Sequence, residues 1–275
     1  MFTVAQITDL HITTDIDPAR QRNNERRLRE VLKAIHALKP RPVAIIASGD
    51  LVDHGEPEEY VALKGILCDV EIPLHLGIGN HDLRENFRTA FPECPVDGTG
   101  FVQYAADVSG IRLVMCDTVE TGREGGAFCE RRAAWLKKTL DAEPRRPTIV
   151  ALHHPPIASG IQWMDPAPDE EWIAQLASAL EGRKQVRMLI CGHVHRAFHG
   201  LFAGTLVSAS PATAPQLTLD MTDADRRIPD GREIVRDEPP AYSLHSWDGE
   251  EFATHVCVAG DFAPVAFFDQ PFAAL

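Results

Sequence analysis

The chain has 275 residues, of which 44% are apolar and 24% charged, a composition typical of a globular protein with ample core. The net charge of −13 argues against nonspecific binding to nucleic acid or to anionic membranes, because both need a basic surface. We find no apolar stretch long enough to span a bilayer, no signal-peptide pattern, and six scattered cysteines without a C-x-x-C pair. These features predict a cytoplasmic protein with reduced thiols.

Apolar runs and amphipathic segments alternate along the chain. The predicted elements are, in order, strand 2–8, helix 19–38, strand 42–49, helix 57–68, strand 73–79, helix 84–91, strands 101–108 and 111–118, helix 130–140, strand 148–154, helix 169–180, strand 186–192, paired strands within 198–210, and strands 241–247 and 251–259. The alternation in the first half predicts right-handed β-α-β units and a mostly parallel sheet.

The region 211–240 has a different character, since it is charged and rich in turn residues and shows no clear period. It is either a loop insertion or a small cap, and it could also form a dimer interface. We therefore predict a core over 1–210, an excursion over 211–240, and a C-terminal hairpin over 241–275 that completes the core.

One basic cluster, "ARQRNNERRLREVLK", could suggest a nucleic-acid site in residues 19–33. The interleaved Glu25 and Glu30 favour a solvated helix face instead. An acidic protein can still act on phosphate anions if its site holds a cation other than Lys or Arg.

Polar residues follow five of the predicted strands, and ligands of α/β sheets bind beyond the carboxyl ends of strands. The five groups are Asp9 with His11, Asp50 with Asp53 and His54, Asn80 with His81 and Asp82, His153 with His154, and His193 with His195. Each group alone has a simple structural interpretation, such as a capping aspartate or a rigid turn. Their joint occurrence at successive strand ends favours one shared site.

Carboxylate, amide and imidazole donors together suit Mn²⁺, Fe, Co²⁺ or Zn²⁺, and suit neither a thiolate zinc site nor a calcium site. Seven candidate ligands are too many for one ion, but two ions that share a bridging carboxylate would use them all. Two ions about 3.5–4 Å apart can activate a water and neutralise a phosphoryl group, which supplies the positive field that the chain lacks.

The blocks "DLH", "GDLVD", "GNHD", "HHP" and "GHVH" resemble the motifs of the calcineurin-like metallophosphoesterase superfamily. The runs "SGDLVDHGEPEEY", "GNHDLRENFRTAFPE" and "PPAYSLHSWDGEEFATHV" are similar to bacterial class III cyclic-nucleotide phosphodiesterases and related glycerophosphodiesterases. The resemblance implies a four-layer α/β/β/α sandwich, in which two mixed sheets are flanked by helices and the metals lie at the strand ends.

The resemblance also implies a role for each block. One metal would be held by Asp9, His11 and His195, the other by Asn80, His153 and His193, and Asp50 would bridge them. His81 would donate to a phosphate oxygen or assist the leaving alkoxide, with Asp82 orienting it. In close relatives a histidine precedes the glutamine after G-H-x-H, whereas here Pro215 precedes Gln216; His199 could substitute for it or be an ordinary surface histidine.

The resulting hypothesis is hydrolysis of a small phosphodiester, a 3′,5′-cyclic nucleotide or a glycerophosphodiester, by a hydroxide that bridges the two metals, with Asp50 holding both ions. A phosphomonoesterase or nucleotidase of the same superfamily and an inactive metal-binding scaffold are the alternatives. A nucleic-acid polymer is not expected, because no basic, aromatic-lined channel is evident. The resemblance further implies a homodimer or higher homo-oligomer.

Overall fold

The computed structural model describes residues 1–14, 18–167, 169–223 and 228–267, with residues 18–22 described by their backbone alone. The helices are α1 (Pro18–Ala37), α2 (Pro57–Leu67), α3 (Arg84–Ala90), α4 (Glu130–Ala142) and α5 (Glu171–Leu180). The strands are β1 (Phe2–Ile7), β2 (Ala44–Ser48), β3 (Leu74–Gly77), β4 (Tyr104–Val108), β5 (Ile111–Met115), β6 (Thr148–Ala151), β7 (Val186–Cys191), β8 (Phe198–Phe202), β9 (Thr205–Ala209), β10 (Gln216–Leu217), β11 (Val235–Arg236), β12 (Ala241–Trp247) and β13 (Phe252–Val258).

Two mixed sheets form the centre of the fold, as predicted. The first has the order β13-β12-β1-β2-β3, in which β1, β2 and β3 are parallel and the final hairpin β12-β13 adds antiparallel strands beside β1. The second has the order β4-β5-β6-β7-β9-β8, with a parallel centre and antiparallel strands at both edges. The parallel strands of each sheet therefore end on one side.

The apolar core consists of three layers, because each sheet is covered on both faces. Val4, Ile46 and Ile190 pack in the layer between the sheets. Their chain neighbours point outward and pack against the helices, α1 to α3 on the first sheet and α4 with α5 on the second. All five residues of β2 are buried, which explains why this strand reads as a continuous apolar run.

The excursion contains the element that the sequence analysis missed, a short antiparallel pair of β10 and β11. Two arginines fasten it to the core. Arg27 is 1% exposed and donates to the carbonyls of Thr213, Ala214 and Glu238. Arg196 donates to the Glu238 carboxylate and to the Leu217 carbonyl.

The interpretation of residues 19–33 as a solvated helix face needs one correction. Arg26 and Arg29 pair with Glu30 and Glu25 on the surface as expected, whereas Arg27 points inward. The division into core, excursion and hairpin stays a prediction, and residues 224–227 and 268–275 lie outside the described chain. Among the described helices, none combines the length and the apolar character needed to cross a membrane.

Candidate metal centre

The strand ends of both sheets meet along one edge, and all seven predicted ligands lie there. The turns after β1, β2 and β3 carry Asp9, His11, Asp50 and Asn80, and the turns after β6 and β7 carry His153, His193 and His195. We call these turns the ligand edge. It draws side chains from both sheets, so the site depends on their packing against each other.

The backbone of the ligand edge is unusual. Seven non-glycine residues in the described part of the chain have a left-handed φ, and five of them are predicted ligands: Asp9, His11, Asp50, His193 and His195. Non-glycine residues in this region cost of order 1–3 kcal/mol each, and such residues cluster at functional sites. The turns are therefore shaped for side-chain placement at the expense of backbone energy.

Glycines in three of the motifs leave no room for a side chain. A Cβ atom on Gly79 would lie 2.2 Å from Asp50 Oδ1, and one on Gly49 would lie 2.5 Å from His153 Nδ1. A Cβ atom on Gly192 would lie 2.0 Å from Thr8 Oγ1 and 2.8 Å from Asp9 Oδ2. The glycine of each motif lets a neighbouring strand end approach closely enough for the ligands to converge.

The first group of predicted ligands converges on one point. His11 Nε2 lies 3.1 Å from His195 Nε2. His195 Nε2 is also 3.4 Å from Asp9 Oδ1, while His11 Nε2 is 3.7 Å from Asp50 Oδ2. Candidate donor atoms of Asp9, His11 and His195 all lie within 4.8 Å of one another, a spacing that a single metal ion could bridge.

The second group lies on the other side of Asp50. His153 Nε2 is 3.2 Å from Asp50 Oδ2 and 3.9 Å from Asp9 Oδ1. His193 Nδ1 is 3.1 Å from Asn80 Oδ1. Asp50 thus contacts a histidine of each group, which is the position that a bridging carboxylate requires.

The remaining ring nitrogens of three histidines are bonded away from the cluster. His153 Nδ1 donates to the Ser48 carbonyl over 3.0 Å and His195 Nδ1 to the Pro215 carbonyl over 2.8 Å. His11 Nδ1 lies 3.0 Å from Asp53 Oδ1. These partners hold each ring so that Nε2 faces the cluster, as in metal-binding histidines. Two of the partners are backbone carbonyls, which sequence motifs do not reveal.

Charge is concentrated at Asp50 and His153. Burial disfavours the charged imidazole of His153, but the Asp50 carboxylate raises its pKa to about 9. Burial likewise opposes the ionised form of Asp50, and His153 nevertheless lowers the pKa of that carboxyl well below its usual value. The pKa of His193 is lowered well below its usual value by burial and by the neighbouring histidines. The site thus stabilises positive charge next to Asp50 while keeping His193 neutral.

His154 differs from His153 in that both of its ring nitrogens are engaged elsewhere. Nδ1 bonds the Thr118 hydroxyl over 2.8 Å, and Nε2 lies 3.0 Å from the Glu124 carbonyl. Burial and the neighbouring His153 lower the pKa of His154 to about 3. Although His154 lies within reach of His153 and His193, its bonds favour a supporting role.

His81 stands at the mouth of the cluster with its side chain 40% exposed. Its backbone N–H donates to Asp50 Oδ1, and its Nδ1 donates to the Asp53 carbonyl over 2.7 Å. Asp82, expected to orient His81, instead accepts from the Leu51 and Gly79 N–H groups and from the Tyr60 hydroxyl. His81 is therefore positioned by Asp53, while Asp82 ties the turn after β2 to the turn after β3.

A pocket of about 850 Å³ opens from the ligands. Its lining also includes Ile157, Trp163 and Met164. The carboxylate of Asp165 is held by Ser159 and by the Gly160 N–H, and that of Glu170 by Arg123, the Trp172 indole and the Ala167 N–H. His199 is exposed on β8. The lining thus combines apolar side chains with two carboxylates, of which Glu170 is paired with Arg123 and Asp165 is hydrogen-bonded by neutral donors.

Solved structures share this architecture. A dimetal phosphatase from Danio rerio superposes with a TM-score of 0.64 at 13% identity, covering 94% of this chain and 99% of that one. A purple acid phosphatase from yellow lupin gives a TM-score of 0.62 at 13% identity over 97% of this chain and 57% of that one. Both likenesses show that the fold is shared.

The model of the calcineurin-like phosphoesterase family matches residues 2–197, and the chain belongs to this family. A probable glycerophosphodiester phosphodiesterase of Arcobacter nitrofigilis is 30% identical over 271 residues, 97% of either chain. A 3′,5′-cyclic adenosine monophosphate phosphodiesterase of Pseudomonas aeruginosa is 28% identical over 230 residues, 82% of either chain.

Proposed function

We propose that the protein is a metal-dependent phosphodiesterase with a binuclear centre that hydrolyses small phosphodiesters. The observation that carries this proposal is the convergence of the seven predicted ligands from five strand ends around one carboxylate, Asp50. The relatives named above as phosphodiesterases match the chain over most of its length.

The residues present fit metal ions. His153 Nε2 is buried 3.2 Å from Asp50 Oδ2 but makes no well-directed hydrogen bond within the described residues, although a buried polar atom normally makes one. Asp9, His11 and His195 would hold one ion, Asn80, His153 and His193 the other, and Asp50 would contact both. When bound, such ions supply the positive charge that a phosphoryl group requires and lower the pKa of a coordinated water. Mixed oxygen and nitrogen donors suit Fe, Mn, Zn or Co.

His81 handles the proton of the leaving group in this proposal. Because its Nδ1 is engaged with the Asp53 carbonyl, Nε2 is the nitrogen left for the substrate. From there it can donate to a phosphate oxygen or to the departing alkoxide. The hydrogen bond from the His81 backbone N–H to Asp50 Oδ1 fixes the position of His81 relative to the ligands.

The pocket favours a substrate whose organic part includes a flat ring. Trp163 offers a surface for a planar base, since bases stack on aromatic side chains with little regard to sequence. Glu170 is paired with Arg123, which weakens the attraction of this carboxylate for an ammonium head group. We therefore place 3′,5′-cyclic nucleotides ahead of glycerophosphodiesters.

The test is kcat/KM of the Mn²⁺-loaded protein for bis(p-nitrophenyl) phosphate, p-nitrophenyl phosphate, 3′,5′-cyclic AMP and glycerophosphoethanolamine, with Asp50→Ala as control. We expect diesters to be preferred and cyclic AMP to exceed glycerophosphoethanolamine. Preference for the monoester would support a phosphatase instead. If the protein and the control both hydrolyse the substrates only at the background rate, the protein is an inactive metal-binding scaffold instead. A homo-oligomer and a cytoplasmic location stay predictions.

A further inference from the structure

A polar cluster lies directly beneath the ligand edge, in the layer between the two sheets. Gln6 of β1 and His245 of β12 are fully buried, and so is Ser48 at the end of β2. Most of this layer is apolar, with Val4 and Trp247 two residues away from Gln6 and His245 on the same faces, and it also holds the buried hydroxyls of Ser208 and Ser243. A buried amide and imidazole stand here in place of apolar side chains, so the groups that they bond should explain their presence.

Every polar atom of the Gln6 side chain is used. Nε2 donates to the Cys191 carbonyl over 2.8 Å and to the Ser48 hydroxyl over 2.9 Å, and Oε1 accepts from His245 Nε2 over 3.0 Å. Since the Cys191 carbonyl can only accept, the orientation of the amide is fixed. His245 Nδ1 accepts in turn from the Thr254 hydroxyl over 2.9 Å.

These bonds end at the last residues before the ligand turns. Ser48 precedes Asp50 by two residues, Cys191 precedes His193 by two, and Gln6 itself precedes Asp9 by three. The Ser48 carbonyl also accepts from His153 Nδ1. Because Cys191 belongs to the second sheet, the bond from Gln6 joins the two sheets directly beneath the turns that carry the ligands.

We infer that Gln6, supported by His245, is a positioning residue that sets the relative placement of the two sheets and thereby the spacing of the two groups of metal ligands. The inference rests on the proposed binuclear function. A fully satisfied buried network favours one arrangement, because any slip of one sheet leaves buried donors or acceptors unpaired. Outer partners of metal ligands typically contribute about 10–100-fold to metal affinity.

The test is a Mn²⁺ titration of the full chain by calorimetry, with electron paramagnetic resonance of the exchange-coupled pair, on Gln6→Met. We expect the second Mn²⁺ to bind about 10–100-fold more weakly and the coupled signal to be lost at two equivalents. Gln185→Met is the matched control, because Gln185 is also buried and bonds the Leu140 carbonyl at the opposite end of β7, roughly 20 Å away. It should lower the melting temperature and leave both affinities unchanged.

The outcomes separate this inference from the proposed function. If the unmodified protein binds two Mn²⁺ and folded Gln6→Met binds them with equal affinity, the positioning role is wrong and the proposed function stands. If the unmodified protein does not bind two ions, both fail. Should Gln6→Met not fold, Gln6→Asn decides, since its amide is one methylene shorter and cannot keep the bond to the Cys191 carbonyl of the second sheet; unchanged affinity in that variant overturns the inference.

Discussion

The ligand edge and the excursion both consist of chain between strands, yet they are stabilised in different ways. At the ligand edge most of the turn residues are buried, and side chains such as Asp50 and Asp82 bond backbone from other turns. The excursion leaves Leu219, Met221 and Ile228 more than half exposed. Its first residues are buried and bond the turn after β1 through the Thr213 and Ala214 N–H groups, and Arg27 and Arg196 hold it to the core from the side. The comparison shows that cross-bonding between strand ends fixes the backbone of the ligand edge.

The largest expected effect is at the centre of the ligand edge. Asp50→Ala removes the carboxylate shared by both groups of ligands, so we expect kcat/KM for a phosphodiester to fall about 1,000-fold or more with the fold retained. Steady-state kinetics and circular dichroism check this. Asp230→Ala, an exposed acid of the excursion paired with Arg232, should leave activity unchanged; comparable losses in both variants would contradict the assignment.

A smaller loss is expected from one added methyl group. Gly79→Ala places Cβ against Asp50 Oδ1 and the Asp50 backbone N–H, so the carboxylate must move and kcat/KM should fall about 100-fold. Gly65→Ala is the matched control, because it lies in α2 with nothing within 4 Å of its Cβ position. There alanine should stabilise the protein by about 0.5–1 kcal/mol. Full activity of Gly79→Ala would show that the turn can relax.

Arg27 connects the two regions, so replacing it should weaken both. Arg27→Met leaves the carbonyls of Thr213, Ala214 and Glu238 without their buried donor. We therefore expect the free energy of unfolding to fall by about 2–4 kcal/mol. Urea denaturation measures this. Because Ala214 precedes the Pro215 carbonyl that holds His195, Mn²⁺ affinity should also fall. Arg26→Met, on the exposed side of the same helix, should change stability by less than about 0.5 kcal/mol.

The pocket wall should affect substrate choice more than catalysis. Trp163→Ala removes the proposed stacking surface, so kcat/KM for 3′,5′-cyclic AMP should fall about tenfold. The value for glycerophosphoethanolamine, measured on the same preparation, should be little changed because that substrate has no ring to stack. An equal fall for both substrates would assign Trp163 to the shape of the loop instead.

The smallest effect concerns pH. Burial lowers the pKa of His245 to about 3, so this histidine stays neutral in the folded protein. Below about pH 6.5 the unfolded chain takes up a proton on it and the folded protein does not, so the free energy of unfolding falls as the pH falls. His245→Gln, less stable than the unmodified protein at pH 7.5, should therefore close that gap by about 1 kcal/mol at pH 5.5. Chemical denaturation of the metal-loaded proteins at both pH values measures it. His255→Gln, exposed on β13, is the control.

Much of the fold could be predicted from the sequence, because a strand buried on both faces appears as a continuous apolar run. The end of such a strand is marked by a glycine followed by polar residues. The clustering of the candidate ligands followed from the rule that parallel strands end on one side. The cross-bonds could not be predicted, since the partners of His153 and His195 are backbone carbonyls. Arg27 was taken for a surface residue because its neighbours in sequence are charged, and β10 with β11 was missed because two-residue strands carry no period.

At the left-handed residues of the ligand edge, the side chain that function requires is not the residue that stability favours. Five side chains at about 1 kcal/mol each represent conformational strain comparable to the net stability of a typical domain. Glycine at Asp9 or His193 would relieve that strain while removing a ligand. Selection for thermal stability alone would therefore erode this edge first, and a stabilised variant obtained without an activity screen should be checked for substitutions there.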